Sequence, residues 1–78
     1  MAAKAFVLIE TAVGRNREVV AALSKLKGVT SVNTVTGPYD VIAFTEAADL
    51  KTLGELIVKK IQATGCVART LTCILVEE

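Results

Sequence analysis

The stretch TVTGPYDVIAF, residues 34–44, joins two apolar, β-branched runs through a four-residue corner. The corner is Gly37, Pro38, Tyr39 and Asp40, and it holds the only proline and the only tyrosine of the chain. Proline fixes φ, glycine tolerates unusual backbone angles, and aspartate bonds to nearby backbone groups. The stretch therefore predicts a turn between two strands. A turn does not require the large ring of Tyr39, so the turn alone does not explain why position 39 is a tyrosine.

Outward from this corner, the sequence predicts two βαβ units. β-Branched and aromatic runs indicate strands, and apolar residues at 19, 22, 23 and 26 have the i, i+3, i+4, i+7 spacing of an amphipathic helix. The predicted elements are a strand over residues 4–10, a helix over 15–27 capped by Gly28, strands over 29–36 and 41–46, a helix that Asp49 opens and Gly65 ends, and a strand over 66–76. No linker interrupts them, so residues 1–78 form one predicted domain.

The order strand, helix, strand, strand, helix, strand predicts the fold class. Short connections and right-handed crossovers bring these elements into a four-stranded antiparallel sheet with both helices on one face. This is the ferredoxin-like βαββαβ arrangement of the α+β class. The two most apolar strands, over residues 4–10 and 41–46, are expected at its centre.

Both faces of the first strand are apolar. Ala5, Val7 and Ile9 alternate with Phe6 and Leu8, and the third strand follows the same pattern. A sheet with helices on one side only should alternate apolar and polar residues. We therefore expect the face away from the helices to be buried by a second copy of the chain.

Composition excludes several classes of protein. Nine Lys and Arg residues balance eight Asp and Glu residues. These charges are spread along the chain, so no basic stripe indicates nucleic-acid binding. The apolar runs are too short to span a membrane, and no secretory signal is recognisable. The sequence predicts a cytoplasmic protein without membrane contact.

The two cysteines predict neither a disulfide nor a metal site. Cys66 and Cys73 are seven residues apart in one predicted strand, on opposite faces and about 23 Å apart, whereas a disulfide needs Cα atoms within about 7 Å. The chain has no histidine, which argues against structural zinc. No metal and no cofactor are expected.

Catalysis has little support in the residue pattern. Without histidine, a general base near neutral pH must be a carboxylate or lysine with a shifted pKa. The carboxylates of Glu10, Glu18, Glu46 and Asp49 are scattered along the sequence. Residues 14–17 (GRNR) could cradle an anion at a helix start, as in an acylphosphatase-like enzyme, but the surrounding glycine- and aromatic-rich signature is missing. The chain is not expected to be an enzyme.

The corner also carries a resemblance to a known family. VTGPYDVIAF (35–44), KAFVLIETAVGRNREVVAALSKLKGVTSV (4–32) and GCVARTLTCILVE (65–77) resemble segments of the effector-binding domain of Lrp/AsnC transcriptional regulators, the RAM domain. The resemblance covers essentially the whole chain. Each motif is short, and their order and spacing together make the resemblance specific.

This resemblance implies a ligand-binding, oligomeric protein. Such domains dimerise through the sheet, the dimers form octameric or similar rings, and small effectors, usually amino acids, bind between dimers beside the corner. The implied ligand-binding residues are Gly37, Pro38, Tyr39, Asp40, Thr70 and Thr72. Hydroxyls and backbone amides would hold the carboxylate of the effector, Asp40 or main-chain carbonyls its ammonium, and Tyr39 would cover its side chain. Ordinary β-propensity explains Thr70 and Thr72 equally well.

One departure from the family concerns DNA. Family members usually carry a helix-turn-helix domain before this one, whereas here the first predicted strand starts at Lys4. The chain resembles the stand-alone form, which senses a ligand or joins a full-length regulator and does not bind DNA directly. Two alternatives stay open: a small enzyme of the dimeric α+β barrel type, and a purely structural assembly module.

Overall fold

A computed structural model describes residues 2–76 and has the predicted order of elements. Its elements are strand β1 (Ala3–Thr11), helix α1 (Asn16–Ser24), strand β2 (Val29–Thr34), strand β3 (Val41–Ala47), helix α2 (Leu50–Glu55) with a π-helical continuation (Leu56–Ile61), and strand β4 (Val67–Ile74). Met1, Glu77 and Glu78, the ends of the predicted single domain, lie outside the described residues.

The four strands form one antiparallel sheet in the order β2-β3-β1-β4. The two most apolar strands, β1 and β3, are central, and Phe6 lies directly opposite Phe44 in their ladder. The predicted ferredoxin-like fold is confirmed.

The core lies between one face of the sheet and the helices. From the sheet it takes alternate residues of the central strands, and from the helices their apolar stripes. Its buried apolar members are Ala5, Val7, Ile9, Val41, Ala43, Val19, Leu23, Leu53, Leu56, Ile57 and Ile61. Burying one large aliphatic side chain contributes about 1.5–3 kcal/mol, so this layer positions the helices on the sheet.

The α2 segment differs from the regular helix that the sequence predicts. Asp49 caps its start as predicted, since its carboxylate accepts the N–H of Thr52 at 2.7 Å. From Leu56 onward the backbone is π-helical, and the N–H of Gln62 donates to the carbonyl of Ile57. A π-turn accommodates one residue more than an α-turn, and Ile57 and Ile61 of this segment are both buried in the core.

Three of the predicted elements are longer than the elements in the structure. Helix α1 ends at Ser24, β2 ends at Thr34, and β4 begins after Cys66. Short turns replace the missing parts; in one, the N–H of Val29 donates to the carbonyl of Leu26. Gly28 adopts the expected left-handed conformation at φ +98°, three residues beyond the C-cap Lys25.

The connection into β4 runs through Gly65 and a residue with positive φ. The left-handed residue there is Cys66, with φ +74°. Cys66 therefore precedes the strand, and its thiol lies 3.6 Å from the Glu18 carboxylate. Cys73 lies within β4 and is an exposed free thiol. Contrary to the sequence prediction, the two cysteines do not share one strand.

Candidate functional site

The Gly37–Asp40 corner is closed by backbone hydrogen bonds. The N–H of Val35 donates to the carbonyl of Asp40 at 2.9 Å, and the N–H of Asp40 donates to the carbonyl of Ile9 at 2.9 Å. Gly37 has φ +145°, which few side chains tolerate. Tyr39 is half-buried and Pro38 is exposed. The corner is thereby held against the end of the central strand β1.

The side-chain carboxylate of Asp40 also stabilises this corner through hydrogen bonds. One of its oxygens, Oδ2, accepts the backbone N–H of Thr11 at 2.9 Å. The hydroxyl of Thr11 donates to Asn16 Oδ1 at 2.7 Å and lies 3.4 Å from the same Asp40 oxygen. Thr11 is 8% exposed, and Asn16 is the first residue of α1. Asp40 thus connects the start of β3, the end of β1 and the start of α1.

Thr70 and Thr72 lie on the helix side of β4. Thr70 is opposite Ile9 and Thr72 opposite Val7 in the β1–β4 ladder, and both of those β1 residues are in the core. Each threonine is half-buried. The side-chain amide of Gln62 donates to Thr70 Oγ1 at 2.9 Å.

Five of the six predicted ligand-binding residues lie towards the end of the sheet where β3 begins, whereas Thr72 lies opposite Val7, at the middle of β1. Val41, which follows the corner, and Thr70 lie on opposite sides of Ile9. At about 4.8 Å per strand spacing, their backbones are about 10 Å apart. In one protomer β1 therefore separates the corner from the two threonines.

Sequence reasoning missed Thr11, Asn16 and Gln62. The sequence pattern places Asn16 in a possible anion cradle and Thr11 in a connection between elements, and it indicates no further role for either residue. Each of these residues acts through a partner that folding brings near: Thr11 is 29 positions from Asp40, and Gln62 is eight from Thr70. No local pattern signals such contacts.

Residues 14–17, where the sequence pattern does not favour an anion cradle, take part in an internal ion pair. Arg15 contacts Glu18 at 2.6 Å. The hydrogen bond and charge of Arg15 hold the pKa of Glu18 below its usual value, and Glu18 in turn raises the pKa of Arg15. The N–H of Thr52 likewise lowers the pKa of Asp49. Carboxylates with lowered pKa values are poor general bases near neutral pH.

The sheet face away from the helices, here named the outer sheet face, is largely apolar. Strand register places these side chains on it: Phe6, Leu8, Ile42, Phe44, Leu71 and Cys73. The rings of Phe6 and Phe44 lie 4.9 Å apart. Phe6 is 44% and Leu71 49% exposed, although both are large apolar residues.

Charged residues border the outer sheet face at both ends. Lys4 lies opposite Glu46 at one end. At the other end Arg69 contacts Glu10 at 3.6 Å. Each end therefore carries both signs of charge.

A separate groove of about 930 Å³ lies at the other end of β3, between the end of α1 and the α2 segment. Its charged lining residues are Lys27, Glu46, Glu55, Lys59 and Lys60, and Glu55 contacts Lys59 at 3.6 Å. It contains none of the predicted ligand-binding residues.

Residues 2–76 contain neither a membrane-spanning helix nor a cluster of metal ligands. No helix in that range is long and apolar enough to cross a membrane. Nor do three cysteine, aspartate or glutamate side chains of this part of the chain come together as metal ligands would.

Comparisons with known proteins place this geometry in context. Residues 4–78 match the family model described as the Lrp/AsnC ligand binding domain. A comparison with curated protein sequences finds no significant match.

Solved structures with the same fold include short proteins and longer regulators. TTHA0845 of Thermus thermophilus is 32% identical, with 97% of this chain and 95% of that chain covered and a TM-score of 0.92. The hypothetical protein PHS023 of Pyrococcus horikoshii is 36% identical, with 97% and 92% covered and a TM-score of 0.90. The transcriptional regulator NMB0573 of Neisseria meningitidis, solved as an L-Met complex, is 18% identical with a TM-score of 0.86; 97% of this chain matches 51% of that one.

Proposed function

This chain belongs to the Lrp/AsnC ligand-binding domain family, and we propose that residues 1–78 act as a small-molecule sensing and oligomerisation domain. The effector in this proposal is an amino acid or a similar small molecule. The proposal includes a cytoplasmic location, no enzymatic activity and no direct contact with DNA.

The outer sheet face is the observation that carries this proposal. Phe6 and Leu71 are about half exposed, and their neighbours on β1, β3 and β4 at the centre of this face are apolar. Contiguous apolar patches of this kind on small domains mark interaction sites. A second copy is the partner that fits best, because both charged borders carry a positive and a negative residue and are therefore self-complementary under a two-fold axis.

The effector site in this proposal uses residues from more than one copy. The corner and the threonine pair lie on two sides of β1 in one protomer, about 10 Å apart, so a ligand the size of an amino acid needs further walls. The assigned residues are Gly37, Pro38, Tyr39, Asp40, Thr70 and Thr72. A ring of dimers, such as an octamer, would supply the missing walls. The L-Met complex of the regulator NMB0573 supports an amino acid as the class of effector, and a full-length Lrp/AsnC-type regulator is a further proposed partner.

The first test measures assembly. Light scattering after size exclusion should give at least a dimer at micromolar concentration. In a Cys66→Ala variant, Cys73 is the one remaining cysteine and lies on the outer sheet face. Its reaction rate with a thiol reagent should fall as rising protein concentration drives dimerisation. A folded monomer with an equally reactive Cys73 at every concentration contradicts the proposed interface.

The second test measures effector binding. Melting temperature is recorded with each of the twenty amino acids, for the wild type and for Tyr39→Ala and Tyr39→Phe. We expect at least one amino acid to stabilise the wild type, by RT ln(1 + [L]/Kd) for ligand bound to the folded state. Tyr39→Ala should weaken this response and the larger assembly, whereas Tyr39→Phe keeps the ring and should preserve both.

A purely structural assembly module is the second candidate function. The brace between Asp40 and Thr11 favours it, because it gives the aspartate of the corner a role in the fold without any ligand. Normal assembly with no response to any amino acid, in the wild type and in Tyr39→Ala alike, would support this module instead.

A further inference from the structure

Gln62 is a polar side chain at the end of the π-helical segment, and it reaches across to β4. Its amide nitrogen lies 2.9 Å from the hydroxyl oxygen of Thr70. Gln62 is itself exposed, so its hydrogen bond to Thr70 is not needed to satisfy a buried group. The side-chain amide of Gln62, although held against Thr70, is open to a ligand that approaches from solvent.

The π-helical turn is what gives Gln62 this position. The N–H of Gln62 donates to the carbonyl of Ile57, five residues back. A regular α-helix would use residue 58 and would direct the side chain of residue 62 differently around the helix axis. π-Helical turns are rare and are frequently found at functional sites.

Three neutral donors then face the helix side of β4. Because Thr70 Oγ1 accepts a bond from Gln62, the hydroxyl proton of Thr70 is left to donate. Gln62 has a second amide proton, and Thr72, two residues along the same face as Thr70, has its own hydroxyl. Several donors on one face match an acceptor with several lone pairs, and a carboxylate has two such oxygens.

We infer that Gln62 joins Thr70 and Thr72 as a third ligand-contacting residue, and that this cluster binds the carboxylate of the effector. The inference rests on the proposed function and extends it by one residue and by the orientation of the ligand. The ammonium end of an amino acid then lies away from β4, towards the Gly37–Asp40 corner.

Two substitutions, each of which adds one negative charge, test this assignment. Gln62→Glu keeps the size of the side chain, replaces the amide donors by a carboxylate and repels an incoming carboxylate. Ala63→Glu is the matched control, because Ala63 is exposed and adjacent and its replacement leaves Gln62 in place. Calorimetry measures the Kd of each variant for the amino acid that best stabilises the wild type, and for the α-amide of that amino acid, which lacks the carboxylate.

We expect Gln62→Glu to weaken binding of the amino acid by about tenfold or more, the range for losing a hydrogen bond to a charged group. Ala63→Glu should change it by less than about threefold. The α-amide should bind the wild type weakly and be affected little by Gln62→Glu. Melting curves and light scattering confirm that each variant is folded and assembled.

The outcomes separate this inference from the proposed function. If the wild type binds an amino acid and Gln62→Glu binds it equally well, the role of Gln62 is refuted and the sensing function stands. If Gln62→Glu and Ala63→Glu weaken binding equally, the effect is general charge repulsion and the contact is refuted. If the wild type binds no amino acid, both the sensing function and this inference fall.

Discussion

Asp40→Ala should destabilise the protomer more than Tyr39→Ala does. The carboxylate of Asp40 accepts the N–H of Thr11, a residue only 8% exposed. Alanine removes this acceptor and leaves the donor of Thr11 in a place that water reaches poorly. Tyr39→Ala removes a half-buried ring for which no hydrogen bond is found in residues 2–76.

The size of the effect follows from the burial of the two partners. An unsatisfied buried donor costs about 1–3 kcal/mol. Asp40 itself is half-buried, so water recovers part of this, and we expect about 1–2 kcal/mol. For a domain of this size, each kcal/mol corresponds to about 4–8 °C in Tm. Tyr39→Ala should cost about 1 kcal/mol or less, since substitutions outside the core usually have small effects.

Urea unfolding followed by far-UV circular dichroism is the appropriate assay. Each variant is unfolded at several protein concentrations, because dissociation of an oligomer contributes to the apparent stability. Asp40→Asn is the matched control: its amide oxygen still accepts the N–H of Thr11 without the charge, so the loss should be about half of that in Asp40→Ala. Thr11→Val removes the hydroxyl and its contacts with Asn16 and Asp40 but keeps the N–H, which separates the hydroxyl contribution from that of the N–H.

Two results would refute this reasoning. If Asp40→Ala stays within about 0.5 kcal/mol of the wild type, the range of ordinary surface substitutions, the brace contributes nothing measurable. If Asp40→Asn is as unstable as Asp40→Ala, the charge of Asp40 and not its acceptor oxygen is responsible.

Substitutions elsewhere in the fold give three further predictions. Leu8→Glu places a charge on the outer sheet face and should give a folded monomer by light scattering, because an unpaired charge is costly to bury in an interface; an unchanged dimer mass would contradict that interface. Gly28→Ala should cost about 1–3 kcal/mol in urea unfolding, because residue 28 has φ +98°. Gly54 lies in a helix with open space around it, so Gly54→Ala should stabilise the fold by about 0.5–1 kcal/mol. Equal effects of the two substitutions would exclude backbone conformation as the cause. Asp49→Ala should lower Tm at neutral pH and not in strong acid: its folded pKa lies below the ordinary value of 3.8, so its contribution is complete above that value and is lost as pH falls through the folded pKa. A Tm difference that persists unchanged into strong acid would rule out the charged cap.

The sequence by itself determined the order of the elements, and it predicted a partner for the outer sheet face. Apolar residues on both faces of residues 4–10 predict a sheet buried on both sides, and the structure leaves Phe6 about half exposed on the outer sheet face, away from the helices. Asp49 and Gly28 predict a helix start and a left-handed residue, and both are confirmed. These features are local: each depends on the period of the side chains or on the backbone preference of one residue.

Only the tertiary structure decided what the corner touches and which way β4 presents its threonines. Asp40 and Thr11 are 29 residues apart and meet because β1 and β3 are neighbours in the sheet. The side of the sheet on which Thr70 lies depends on strand register, where a shift of one residue would reverse it. Gln62 contacts Thr70 from the end of the π-helical segment, whose Ile57 and Ile61 are buried in the core. Packing of the whole domain sets these positions, and no stretch of the chain read alone contains that information.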